Sequence, residues 1–196
     1  MALRFRKLPP ALCMALVVVL AACETPTPTR RLPDLTFAHL APIRLNVARI
    51  EVVSRYRPPL REPNVEHLFP TPPVVALKRW AKDRLRAVGS SGVARLVVLN
   101  ASAVESRLAQ KTGLTAAFTT QQSQRYDMAV DARLEVSSPL GQGRATANAT
   151  RFSTLREDAS VHQRERLWFD LTESLVRDFD VAMEKNMRLH LGRWIR

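Results

Sequence analysis

Residues 125 to 136 alternate more strictly than any other part of the chain. Tyr126, Met128, Val130, Ala132, Leu134 and Val136 interleave with Arg125, Asp127, Ala129, Asp131, Arg133 and Glu135. One face of such a strand is apolar and the other mostly charged, which predicts a sheet covered on one side and wet on the other. The rest of the chain must supply the cover. Ser138-Pro139-Leu140-Gly141 predicts a turn, and residues 144–154 return as a strand whose Ala145, Ala147 and Ala149 let a helix approach closely. Upstream, Leu96-Val97-Val98-Leu99 marks a strand over residues 95–103, and its unbroken apolar run predicts burial on both faces or at least a central position. Val47, Ile50, Val52 and Val53 predict a first strand over residues 45–56.

Two amphipathic stretches remain. Val74, Leu77, Ala81, Leu85 and Val88 recur at helical spacing between Pro72 and Gly89 and predict a helix over 73–88, with Thr71 as N-cap. Ser160 with Gln163 forms a capping box ahead of Leu167, Trp168, Leu171, Leu175, Phe179, Met183 and Met187, a helix running to about Leu191. Six prolines at 58, 59, 63, 70, 72 and 73 predict a long irregular connection, and residues 110–124 are polar around Leu114 and Phe118. The order is therefore β-α-β-β-β-α. It predicts an α+β two-layer sandwich, a four-stranded and mostly antiparallel sheet with two helices on one face.

The amino-terminal end belongs to export rather than to the fold. Arg4, Arg6 and Lys7 precede an apolar run from Ala11 to Leu20, closed by Leu20-Ala21-Ala22-Cys23. A cationic head, a short apolar run and a small-residue exit make a secretion signal. The run is about half of the ~20 residues needed to cross a bilayer as a helix. Leu20-Ala21-Ala22-Cys23 resembles the lipobox of bacterial lipoproteins, which implies cleavage before Cys23 and lipid on its sulfur. Such proteins carry more than one acyl chain, and several chains make a stable attachment where one does not. Residues 1–22 are then the signal, residues 23–42 a lipidated terminus with a Pro/Thr-rich tether, and residues 43–196 one periplasmic domain. Cys13 leaves with the signal, so the mature chain has no second cysteine for a disulfide. Glu24, where retained lipoproteins carry Asp, points to the outer membrane.

Charge narrows the partners. The chain has 30 Lys and Arg against 18 Asp and Glu, and only three of those cations lie in the signal. An exported protein meets little nucleic acid, so the anions within reach are lipid phosphate, lipopolysaccharide and other envelope polymers. Lys78, Lys82 and Arg86 repeat every four residues and would form one cationic stripe on the predicted helix, with Arg79 alongside. These four are the candidate contacts for an anionic ligand.

Catalytic and metal patterns do not appear. Four histidines, His39, His67, His162 and His190, stand apart from one another. No serine sits in a Gly-x-Ser-x-Gly elbow, and six glycines form neither a Walker loop nor Gly-x-Gly-x-x-Gly. In Asp178-Phe179-Asp180 the spacing predicts Phe179 in the core and both acids in water. The expectation is a protein with no enzyme activity and no cofactor.

Taken with the tether and element order, Tyr126-Asp127-Met128-Ala129-Val130-Asp131-Ala132 after a threonine-rich stretch resembles the third strand of the lipopolysaccharide-assembly lipoprotein that plugs the outer-membrane translocon. The same architecture resembles the auxiliary lipoproteins of ABC-type lipid transport systems. Residues 154–160 with the long helix to Trp194 look like uncharacterised exported proteobacterial lipoproteins. Glu24-Thr25-Pro26-Thr27 departs from the Gly-aromatic-x-Leu start of the assembly lipoprotein. The resemblance implies an accessory of lipid or lipopolysaccharide transport with a protein partner. A scaffolding lipoprotein without lipid cargo is the alternative.

Overall fold

The computed structural model describes residues 32–109 and 121–196, and the packed unit runs from Leu32 to Arg196. The signal, Cys23, Glu24, Leu114 and Phe118 lie outside the described residues. The elements are β1 (Ile43–Leu45), β2 (Arg49–Ser54), a 3-10 turn at Glu66–Leu68, α1 (Pro73–Arg84), β3 (Leu85–Ala87), β4 (Val93–Arg107), β5 (Gln122–Ser138), β6 (Gly141–Arg156) and α2 (Val161–His190). The main sheet has the order β2-β4-β5-β6, with β2 parallel to β4 and the other pairs antiparallel. This is the α+β sandwich that the pattern predicts. A second, two-stranded parallel sheet of β1 and β3 is an addition to it.

The facing of β5 follows its alternation. All six of its even-numbered apolar residues from Tyr126 to Val136 are buried. On the other face the charges pair along the strand, Arg125 with Asp127 at 2.7 Å and Arg133 with Glu135 at 2.8 Å. Strand β4 lies between β2 and β5, and its register slips between Val98 and Asn100. The extra residue there is Leu99, and the bulge flips which side chains point inward. Ala94, Leu96 and Val98 are buried before it, Ala101 and Ala103 after it. Val97 is only 2 % exposed although it points away from the main core, which accounts for the unbroken apolar run.

Helix α2 opens on the expected capping box, with Gln163 N–H donating to Ser160 Oγ at 3.2 Å and Ser160 N–H to Gln163 Oε1 at 2.7 Å. Its stripe from Trp168 to Met187 is buried, and Ala145, Ala147 and Ala149 of β6 are buried beneath the helices. Asp178 holds Arg151 of β6, with an Nη2–Oδ1 distance of 2.8 Å. The proline-rich connection is tied down as well. Phe69 stacks on Trp168 at 4.7 Å, and Tyr126 meets the same indole edge-on at 5.6 Å. Glu66, fully buried, accepts from Tyr56 Oη at 2.5 Å and from Ala103 N–H at 3.2 Å.

Several boundaries differ from the spacing, each for a local reason. The predicted first strand breaks at residues 46–48. Val47 N–H turns back to Leu45 O at 2.8 Å, and Ala48 N–H goes to Gly92 O at 3.1 Å, so β1 and β2 enter different sheets. The predicted helix 73–88 ends at Arg84. Leu85 is buried in either conformation, and residues after it bond to the β1 segment, Val88 N–H to Leu45 O at 2.9 Å and Gly89 N–H to Val47 O at 3.0 Å. Thr71 is no cap: the N-cap is Pro72, without a side-chain hydrogen bond. Residues 32–42 of the predicted tether are partly built into the core, with Leu35 and Phe37 each 4 % exposed.

Candidate anion-binding surface

The four cations singled out by the spacing part company in the fold. Lys78 and Lys82 are exposed on α1, and neither has an ion-pair partner among the described residues. Arg79 is turned toward the segment ahead of β1, donating to Leu35 O at 3.4 Å and lying 3.8 Å from Asp34. Asp83, next to Lys82 on the same helix, serves the same segment by accepting from Phe37 N–H at 2.8 Å and Thr36 Oγ1 at 3.0 Å. Arg86 leaves the helix altogether and sits on β3, so of the predicted stripe of Lys78, Lys82 and Arg86 only the two lysines remain on the helix. Helix periodicity placed Arg86 above Lys82, and strand pairing with β1 overrides it.

The register of β1 assigns Arg86 a new neighbour. Arg44 pairs with Arg86 across the parallel strands. On its other side β1 meets the end of the chain, where Leu45 bridges Ile195 and Arg196 N–H donates to Arg44 O at 3.0 Å. Arg44 and Arg196 were not expected at any site. The signal was present in Ile43-Arg44-Leu45 and Leu85-Arg86-Ala87, where one arginine stands between apolar residues, but three residues are too few to declare a strand.

A second missed group is buried beside them. Arg84, 3 % exposed, donates from Nε to Asp180 Oδ1 at 2.7 Å and from Nη2 to Glu184. Trp80 Nε1 also donates to Asp180 Oδ1 at 2.7 Å, and its ring packs edge-on against Phe179 at 5.1 Å. Asp180 therefore faces inward, contrary to the expectation for Asp178-Phe179-Asp180, because a buried arginine and indole satisfy it. Asp178, partly exposed, faces Arg151. The hydrogen bond from Arg188, reinforced by the Arg84 charge, holds the Glu184 carboxyl below the usual carboxylate range.

A cavity of about 250 Å³ opens at this junction, lined by Arg44, Arg84, Asp180, Glu184, Arg188 and Arg196 among others. Of its four guanidiniums, Arg84 and Arg188 hold the two side-chain carboxylates, while Arg44 and Arg196 hold none. Among the described residues no three His, Cys, Asp or Glu side chains gather as a metal site, and no helix is long and apolar enough to cross a membrane. His39, His162 and His190 are exposed, and His67 is half-buried in the proline-rich connection.

Fold and surface together define an α+β sandwich with helices on one sheet face and an arginine-lined cavity at one edge. No family model matches the chain, and no curated protein sequence matches it. Among solved structures it is similar to rare lipoprotein B from Shewanella oneidensis, at 11 % identity over 70 % of this chain and 92 % of that one, with a TM-score of 0.34. It is also similar to a minor lipoprotein from Acinetobacter baumannii, at 13 % identity over 76 % of this chain and 96 % of that one, with a TM-score of 0.33. At these scores neither likeness carries weight for what the chain does.

Proposed function

We propose that this chain is a lipid-anchored, non-enzymatic envelope protein, an accessory of lipid or lipopolysaccharide transport or assembly held at the outer membrane through Cys23. The observation that carries the proposal is Leu20-Ala21-Ala22-Cys23 directly after a ten-residue apolar run. The fold supports a partner-binding role. The sheet face away from the helices carries Glu51, Arg95, Arg133 and Glu135, and Phe152 there is 60 % exposed with the Arg125 guanidinium 3.9 Å above its ring. Lys78 and Lys82 add attraction to anionic lipid, which salt screens over about 8 Å at physiological ionic strength.

The test is a mild-detergent pull-down of the full-length protein from its own membranes. The expected result is co-purification with a permease, ATPase or substrate-binding subunit of a lipid transport system, or with an outer-membrane translocon. Recovery with structural envelope components alone would favour the scaffolding role.

A further inference from the structure

Exposed arginines fall into two groups: Arg55, Arg57, Arg61, Arg107 and Arg144 have no ion-pair partner among the described residues, while others hold acids. Arg95 holds Glu51, Arg125 holds Asp127, Arg156 holds Asp158 and Arg188 holds Glu184. The small sheet is different in bringing three unpaired arginines side by side. Strand β1 runs between β3 and the terminal residues, so Arg44 has Arg86 on one side and Arg196 on the other. All three are exposed while Ile43, Leu45 and Leu85 are buried, and none of the three has an ion-pair partner among the described residues. Like charges placed directly opposite on neighbouring strands repel. A bound anion would remove that repulsion.

The backbone register of the row suits an oxyanion. Neighbouring strands lie about 4.8 Å apart, so adjacent guanidiniums can reach different oxygens of one group. A carboxylate offers a single fork that suits one guanidinium. A phosphate offers oxygens on several sides and so suits a row. The 250 Å³ cavity beside Arg44 and Arg196 gives such a group a place to sit, and its two side-chain carboxylates are already held by Arg84 and Arg188.

We propose that Arg44, Arg86 and Arg196 form a binding site for the phosphate of an anionic lipid headgroup. The choice of a lipid rests on the anchor reading. The chain from Cys23 to Leu32, where packing begins, spans at most about 30 Å at ~3.4 Å per residue, which would keep this unit close to headgroups. The oxyanion site itself does not depend on the anchor.

The experiment is calorimetric titration of the full-length protein in neutral maltoside micelles at low salt. The probes are short-chain phosphatidylglycerol, short-chain phosphatidylcholine and inorganic phosphate. Phosphatidylglycerol is expected to bind at least tenfold more tightly than phosphatidylcholine, whose ammonium competes for its own phosphate, and more tightly than inorganic phosphate. R44Q/R196Q should lose at least tenfold, and R55Q/R61Q, which removes the same charge elsewhere, should lose less than twofold. If R44Q/R196Q fails to fold, R86Q on exposed β3 carries the test with an expected loss of about threefold.

Equal losses in R44Q/R196Q and R55Q/R61Q would assign the effect to net charge and overturn the site, as would unchanged affinity in R86Q. Equal binding of both lipids, or no binding, would overturn it too. Inorganic phosphate binding as tightly as phosphatidylglycerol would overturn the lipid source. Palmitate labelling at Cys23 is read separately, so failure of this site and failure of the anchor are told apart.

Discussion

Asp180 shows how one carboxylate can organise a helix pair. It accepts from Trp80 and Arg84 of α1 while belonging to α2, and Arg84 and Asp180 are 3 % and 6 % exposed. Removing one partner of a buried pair strands the other, at a cost of about 3 to 5 kcal/mol. Asp180→Ala should lose that much in urea denaturation, and the double change Arg84→Met/Asp180→Leu should lose much less. A loss under 1 kcal/mol for Asp180→Ala alone would show that Arg84 finds water instead. Leu134 and Arg133 make a second contrast, since Leu134 is fully buried and Arg133 faces the open side of the sheet. Leu134→Ala should cost about 2 to 5 kcal/mol and Arg133→Ala well under about 1, with similar melting temperatures contradicting the facing of β5. Asp178, paired with Arg151, and Glu184, bonded by Arg188, both have folded pKa values below their usual range. Their contribution is complete above the unfolded values near 4 and is lost as pH falls through the folded ones. Melting temperature should therefore drop on acidification below about pH 4, and less so in Arg151→Gln.

Elements with long, regular periods were legible in the sequence, and short ones were not. β5 and α2 announce themselves through a dozen or more residues of one period, Ser138-Pro139-Leu140-Gly141 marks the β5-β6 turn, and the Ser160–Gln163 box fixes where α2 begins. Ser160→Ala should cost about 1 kcal/mol, and Ala147→Leu about 1 to 3 kcal/mol, because Ala147 is 5 % exposed beneath the helices. Chemical denaturation of the two variants checks both, and an unchanged Ala147→Leu would mean that α2 does not press on β6. β1 and β3 have three residues each, so their pairing is decided by partners far along the chain. Leu85 satisfies a helix and a strand alike, which is why Arg86 was placed on the wrong element. Arg84 and Asp180 were missed for a related reason. Burial of a charge depends on a partner almost a hundred positions away, and no local period reports it.

For the whole molecule, helices cover one sheet face, charged side chains cover the other, and 30 Lys and Arg stand against 18 Asp and Glu. These features suit a protein that works beside anionic lipid with a partner on its open face. On the proposed lipidation of Cys23, with Glu24 after it, the protein should band at outer-membrane density on a sucrose gradient, and recovery at inner-membrane density would redirect the search for its partner to that membrane. The proposed location depends on Cys23. The most direct measurement is metabolic labelling with radioactive palmitate, comparing the wild-type protein with Cys23→Ala and following both by membrane fractionation. The account predicts a labelled, membrane-bound wild type and an unlabelled Cys23→Ala that accumulates as precursor or in the soluble fraction. A Cys23→Ala protein that still takes up palmitate and still fractionates with the membrane would contradict it.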